Sequence, residues 1–467
     1  MVHYSVSDLL TAFLDEGTFV SWDAPAAPES VLTGEGHVAG RRVAIAASDF
    51  SFQGGSIGLV AGERLTRAAE RATAGGLPLI ALPASGGTRM QEGTAAFLQM
   101  LKVTAAVIAH KTAGLPYLVY LRHPTTGGVL ASWAALGQVT LAEPGALIGF
   151  LGPRVGQALT GRPFPAGVQT AENLHAHGLI DAVVTIPDLA PRVAGVLAVL
   201  PEPAPPSPDA ERAAPTAVPH VAPADAGPAG PADGWESVTR TRRPGYPRGL
   251  DFLRTAATDV QVVREAGGLR LALASVGGRP VVAGVQRGEG PFCHDGLDLA
   301  LRGIRLAADL RLPLVTIIDT PGAELSVAAE EAGIAWLIAR CLEALVTLPV
   351  PTVSVLLGQG TGGGALALLP ADRMLAAPDG WLAPLAPEGA SAIVYRDTEH
   401  APQMARAQGI MARDLAAIGA ADVIAPPAGA AGTSLGAALA RELAALTALD
   451  PGARLAARLT RLRRLGS

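Results

Sequence analysis

The chain has 467 residues, 49% of them hydrophobic and 16% charged, with a formal net charge of -5. That composition supports large buried cores and gives neither nucleic acid nor an anionic membrane a reason to bind. Its two cysteines, Cys293 and Cys341, lack paired spacing; this excludes a disulfide framework or thiolate zinc ribbon, fits a reducing cytoplasm, and predicts two small buried hydrophobes.

In chain order, MVHYSVSDLL lacks the basic start and apolar core of a secretory leader. No uncharged run reaches the roughly 18 residues of a membrane helix. LPLIALPAS predicts a buried strand, and PASGGTRMQEG sets Gly86 and Gly87 where that strand hands over to a helix. The helix continues through Phe97, Met100, Leu101, Ala105 and Val107, which keep helical spacing. PYLVYL predicts the next strand, followed by Gly127, Gly128 and the helix VLASWAALG. Residues 201–234 are rich in Pro and Ala without hydrophobic periodicity and read as an extended linker. They separate a first domain, 1–200, from a second, 235–467.

The second domain repeats the first. Leu77-Pro78-Leu79-Ile80 returns 235 positions later as Leu312-Pro313-Leu314-Val315. The same offset carries Gly87 to Gly322, Pro116 to Pro351, and Gly127-Gly128 to Gly362-Gly363. Four landmarks on one offset indicate an internal duplication. The alternation of apolar strands and helices indicates an α/β fold with strands buried on both faces.

The recurring glycines admit three uses. A phosphate cradle is disfavoured: no Gly-Lys pair occurs in the clusters, and the Gly358-x-Gly360-x-x-Gly363 match to a dinucleotide turn has no counterpart in HPTTGG. A plain turn needs only glycine's tolerance of positive φ. The third use is an oxyanion hole, in which bare backbone N–H groups at a helix start face a substrate oxygen, each well-aimed donor contributing about 3–4 kcal/mol. Recurrence at Gly86-Gly87, Gly127-Gly128, Gly322 and Gly362-Gly363-Gly364 favours this use, twice over.

These phrases carry a family resemblance. GGSIGLVAGERLTRAAE, PASGGTRMQEGTAAFLQMLKVTAA, GLPYLVYLRHPTTGGVLASWAALGQ and AEPGALIGFLGPRV resemble the β subunit of the acetyl-CoA carboxylase carboxyltransferase. LLTAFLDEGTFVSWD and GEGHVAGRRVAIAASDFSFQGG are similar to the start of propionyl-CoA carboxylase β chains. RPGYPRGLDFLR, LPLVTIIDTPGAE, GQGTGGGALALLPADRML and APEGASAIVYRD resemble the α subunit. The resemblance implies a fused β/α carboxyltransferase with two crotonase-like β-β-α spiral domains. It would move CO2 from carboxybiotin to the α-carbon of acetyl-CoA or propionyl-CoA through an enolate, giving malonyl-CoA or methylmalonyl-CoA, as in fatty acid biosynthesis.

Carried onto this sequence, Gly86 and Gly87 would hold the acyl-CoA oxygen, and Gly363, Gly364 and Ala365 the biotin oxygen. The family needs no side-chain base, because released biotin takes the α-proton. No metal or cofactor is expected in the chain itself. Carboxybiotin would come on a separate biotin carboxyl carrier protein charged by a biotin carboxylase, since no AMKM-like site or ATP-grasp-like loop is present. In the family a first-type domain meets a second-type domain of another protomer, which implies at least a homodimer. The chain departs from the family in lacking a four-cysteine ribbon, in His123 before PTTGG, in the Glu324-Leu325-Ser326 triplet, and in the shorter QRGEGPFCHDGLDLALRG.

Arg64, Arg67, Arg89, Lys102 and Arg154 are candidates for CoA phosphates, Arg89 foremost, with surface ion pairs as the alternative. Gly127 and Gly128 join Arg64 and Arg89 as CoA-binding candidates. Glu92 and Glu388 read as caps or pocket walls, His123 as a satisfied turn residue, and LAARLTRLRRLGS as a solvated helix face. Two other functions stay open at this level. One is a biotin-independent decarboxylase of malonyl or methylmalonyl thioesters, using only the first hole; the other is a non-catalytic structural subunit.

Overall fold

The computed structural model describes residues 5–23, 27–161, 163–200, 231–427 and 434–466. Each half is built on one mixed sheet. The first runs Val20–Ser21, Val31–Val38, Arg41–Ser48, Leu79–Leu82, Tyr117–Leu121, Val139–Ala142 and Ala182–Val183. The second runs Thr258–Ala266, Leu269–Val276, Arg279–Gln286, Leu314–Thr320, Thr352–Thr361, Arg373–Ala376 and Val423–Ile424, with Trp381–Ala383 beside Thr352–Thr361. In both, the first three strands pair antiparallel and the rest parallel.

The duplication is visible residue by residue. Strands Val31–Val38 and Leu269–Val276 show the same alternation of buried and half-buried positions. Their partners, Arg41–Ser48 and Arg279–Gln286, are both buried over their last six residues. Continuous apolar runs such as Val43-Ala44-Ile45-Ala46-Ala47 can be buried on both faces only if helices cover the sheet twice. The outer cover of the first sheet includes Leu9, Phe13, Leu189 and Val193. That of the second includes Phe252, Leu435 and Leu439.

Between the sheets lies one shared core. Phe97, Leu101, Tyr117 and Trp133 of the first half cluster with Leu337, Ile338, Leu342 and Leu366 of the second. Helix Gly93–Thr112, about 30 Å long, runs through it and is buried at most of its positions. Among the described residues the segment Met90–Thr112 is long and apolar enough to cross a membrane, yet 83% of its most apolar window is buried inside the fold. It is a core helix.

Three sequence expectations change here. Most of 201–234 lies outside the described residues, but helix Gly234–Thr241 begins within its last position, with the Asp233 carboxylate accepting from Glu236 N at 3.0 Å. Its apolar face, Trp235 and Val238, packs on Trp381, Ala405 and Ile410. Cys341 is buried as expected, but Cys293 is only half-buried. The third change is the arginine-rich tail, which is no solvated face. In helix Pro451–Arg463, Arg454 and Arg458 are buried. Arg458 grips both carboxylate oxygens of Asp372 at 2.8 Å and donates to Leu345 O, Leu348 O and Val350 O at 2.7, 2.8 and 3.1 Å. Those carbonyls lie in the last turn of helix Ile334–Val346 and just beyond it, where helical partners run out. A guanidinium with five donors can satisfy such a cluster, which a lysine could not.

Candidate active site

A cavity of about 140 Å³ lies between the halves, walled by Gly86, Gly87 and Gly128 on one side and by Gly322, Ala323 and Gly363 on the other. Both walls belong to one chain. Among the described residues none that lines it carries an ionisable side chain; apart from the glycines and the hydroxyl side chains of Thr88 and Thr361 the wall is apolar, including Leu151, Leu325, Leu385 and Ile393.

The first wall forms where strand Leu79–Leu82 ends. Ser85 Oγ donates to Gly55 O at 2.6 Å and accepts from Gly87 N at 3.0 Å, while Gly86 N donates to Gly54 O at 2.9 Å. Both glycine N–H groups are therefore engaged, which corrects the expectation that Gly86 and Gly87 themselves donate to a ligand. Their service is conformational: Gly87 has φ +105, a region L side chains rarely adopt. Ile57 N donates to Gly87 O and Arg89 N to Ile57 O, both at 2.9 Å, which leaves Thr88 N without an acceptor among the described residues. Facing it, helix Gly127–Leu130 begins with Gly127 N bonded to Phe150 O at 3.2 Å. Gly128 N, second in that helix, has no intrahelical acceptor. It stands 3.5 Å from where a Cβ on Gly87 would lie. Thr88 and Gly128 thus present the first pair of backbone N–H groups, and Gly127 and Gly128, the CoA-binding candidates, both line the cavity.

The second wall repeats this wiring 235 positions on. Thr320 Oγ1 accepts from Gly322 N at 3.2 Å, Phe292 N donates to Gly322 O at 2.8 Å, and Glu324 N to Phe292 O at 3.1 Å. Ala323 N is left free among the described residues, as Thr88 N is. Gly363 is the second residue of helix Gly362–Leu366, the place Gly128 holds in its own. Ala323 and Gly363 form the second pair. Gly364 sits directly behind: a Cβ there would approach Ala323 N to 2.9 Å. Ala365 is the fourth helical residue, so its N–H points back along the axis toward the Thr361 carbonyl rather than at a ligand. That corrects its expected donor role.

Behind the second pair stands a polar network absent from the first. Gln286 donates through Nε2 to Gly364 O at 2.8 Å and accepts from Asp319 N at 3.2 Å. The fully buried Asp319 accepts from Gln359 N at 3.0 Å and from Arg248 at 3.2 Å. Burial pushes its carboxyl above the usual range although both donors counter it. Gly358 and Gly360 lie inside strand Thr352–Thr361, and a Cβ on Gly358 would approach Asp319 Oδ1 to 2.6 Å. The fingerprint spacing therefore reflects room for a carboxylate, not a dinucleotide turn.

The cationic candidates are placed elsewhere. Arg89 is buried between Glu29 and Glu92 and donates to Ser56 O at 2.9 Å, so it is not available to a phosphate. Arg64 donates to Val31 O at 3.0 Å and Ala27 O at 2.7 Å. With Arg67, Lys102 and Arg463 it lines a separate cleft of about 1090 Å³. There Glu63 is partly buried, which alone would raise its pKa, but Arg463, Lys102 and Arg67 hold it at about 2. The Arg154 side chain lies outside the described residues. Glu92 caps helix Leu59–Ala74 by accepting from Leu59 N at 2.6 Å, Glu388 pairs with Arg242 at 2.6 Å, and His123 Nδ1 accepts from Leu147 N at 3.1 Å. None of the three lines the cavity.

The donors Thr88 and Ala323 were not foreseen from the sequence, although the 235-residue offset relates them just as it relates Gly87 and Gly322. The polar network had no sequence signal in the first half, where the position matching Asp319 is Ala84.

Comparison with known proteins identifies the family. The carboxyl transferase domain family matches residues 13–435. A Mycobacterium bovis protein named as a probable biotin-dependent acyl-coenzyme A carboxylase beta3 subunit is 52% identical over 504 residues, covering 100% of this chain and 99% of that protein. The acetyl-coenzyme A carboxylase carboxyl transferase subunits beta/alpha of Salinispora arenicola are 44% identical, covering 86% of this chain and 74% of that protein. Among solved structures, a transcarboxylase 12S hexamer is 24% identical with a TM-score of 0.41, covering 96% of this chain and 90% of that one. With a family match across nearly the whole fold and two duplicated donor pairs within it, the chain belongs to the carboxyl transferase family and is a transferase.

Proposed function

We propose that the chain is the carboxyltransferase component of a biotin-dependent acyl-CoA carboxylase acting on a short acyl-CoA, acetyl or propionyl. The observation that carries this is a single cavity with two facing backbone donor pairs and no ionisable side chain. Thr88 and Gly128 would hold the thioester oxygen as it becomes an enolate oxygen, and Ala323 and Gly363 the carbonyl oxygen of the CO2 donor. Donors fixed in a water-poor, apolar cavity stabilise developing negative charge without reorganising. The apolar walls and second pair fit a ureido bicycle, so carboxybiotin on a separate carrier is the expected second substrate. As its N–CO2 bond breaks, the freed ring nitrogen takes the α-proton, and the α-carbon forms the new C–C bond to CO2. The chain's own residues orient, polarise and exclude water; they move no proton.

The 52% identical relative is named as a biotin-dependent carboxylase subunit, which supports this reading. The test combines the chain with biotin carboxylase, biotinylated carrier, ATP, bicarbonate and acetyl- or propionyl-CoA. Malonyl- or methylmalonyl-CoA is expected. Product from malonyl-CoA with the chain alone, and none in the coupled assay, would instead establish the decarboxylase.

A further inference from the structure

The halves meet at a carboxylate that neither donor pair contains. Glu330, in helix Val327–Glu331 of the second half, is 4% exposed. It accepts from Phe150 N and Leu151 N of the first half at 2.8 Å each and from Gln169 Nε2 at 2.7 Å. No cation pairs with it among the described residues, so three neutral donors carry the whole solvation of a buried acid. Burial pushes its carboxyl upward and the same three donors oppose the rise.

Phe150 is held at three points. Its N–H goes to Glu330, its carbonyl accepts from Gly127 N at 3.2 Å, and its ring stands 2.9 Å from where a Cβ on Gly363 would lie. One residue therefore touches the helix that presents Gly128 and the helix that presents Gly363. Without Glu330, Phe150 N and Leu151 N would be left unpaired at the cavity wall, and such groups pull a loop out of register to find partners.

We infer that Glu330 is a positioning residue that aligns the two donor pairs with each other, acting through Phe150. This deepens the carboxyltransferase reading and rests on it. The second half thus completes the first hole, although it donates nothing to the acyl oxygen.

The experiment compares full-length wild type with Glu330→Gln, Glu330→Asp and Phe150→Leu, measuring propionyl-CoA binding by calorimetry and coupled carboxylation by kinetics. Glu330→Gln keeps the shape but turns an amide N–H toward a backbone donor; kcat/KM should fall about 100-fold for both acyl-CoA and carboxylated carrier. Glu330→Asp keeps the charge on a shorter stem and should recover part of that loss. Phe150→Leu keeps the backbone bonds but loses the ring contact; it should raise KM for the carrier at least fivefold and leave propionyl-CoA binding within twofold. If Glu330→Gln fails to fold, Glu330→Asp decides: a folded variant with kcat/KM lowered for both substrates supports the inference, and one with unchanged kinetics overturns it. Unchanged kinetics for both substrates in either variant would overturn the inference. Wild type that binds no acyl-CoA would overturn the carboxyltransferase reading itself, so the two failures are distinguishable.

Discussion

At the first junction Ser85 ties down Gly87 N; at the second Thr320 ties down Gly322 N, with the same carbonyl and amide partners around each. Behind these matched fronts the surroundings diverge. The first helix start rests against Thr88 Oγ1 and the flexible Met100 side chain. At the second, the matching Gly363 faces the Ile338 and Phe150 side chains, while Gly364 beside it rests against the backbone of Gly322 and Ala323 and is braced by Gln286, Asp319 and Arg248. The duplication conserved the donor geometry and let the support change.

That contrast can be broken in graded ways. The largest effect is expected at Arg458, whose removal strands Asp372 in the core of the second half. Arg458→Met should cost about 3–5 kcal/mol of stability, read by urea unfolding. A loss under 1 kcal/mol would show that the second half does not depend on its buried ionic anchors. Next, Gly364→Ala forces a Cβ to 2.9 Å from Ala323 N. It should reduce carboxyl transfer about 100- to 1000-fold while acyl-CoA binding, measured by calorimetry, is retained.

A change in the first half, Gly128→Ala, one helical position earlier than Gly364 in its own helix, meets Thr88 Oγ1 at 3.2 Å and Met100 Cγ at 3.4 Å. Those side chains can yield, so a loss of about tenfold in kcat/KM for acyl-CoA is expected, roughly 1.4 kcal/mol. Equal losses in Gly128→Ala and Gly364→Ala would erase the distinction between the halves.

The seam between the halves adds a pH signature. Glu63 is held near 2 in the folded chain, below its ordinary 4.5. Its contribution is therefore whole above pH 4.5 and is lost as pH falls from 4.5 toward 2. Glu63→Gln should remove about 1 kcal/mol at neutral pH and flatten the thermal midpoint between pH 4.5 and 2. The smallest effect belongs to Arg67, exposed and, among the described residues, paired only with Glu63. Arg67→Ala should leave KM for acyl-CoA within twofold; a tenfold rise would restore it as a CoA contact.

Features carried by local pattern were legible in the sequence. The strand-to-helix junctions and the duplication follow from glycine placement and one repeated offset, and the family from the resemblance of several long phrases. What escaped depended on partners distant in the chain. Gly86 N finds Gly54 O and Gly87 N finds Ser85 Oγ, so the exposed N–H falls one residue later, at Thr88. Arg89 lies beside the hole in sequence, but Glu29, 60 positions away, claims it. The tail arginines resembled a solvated helix because Asp372 and the carbonyls near Leu348 are brought to them only by folding. Glu330 carried no sequence signal, since its partners Phe150 and Leu151 offer only backbone.

The central claim is that two backbone donor pairs work in one cavity without a side-chain base. Proton NMR of acetyl-CoA in D2O with the purified chain tests it directly. The account predicts no exchange of the α-protons with the chain alone or with free biotin, whose ring nitrogens keep their protons, and loss of an α-proton only when carboxylated carrier is added and cleavage of its N–CO2 bond frees the nitrogen. Rapid exchange without that carrier would contradict it, by showing that the chain carries a base of its own.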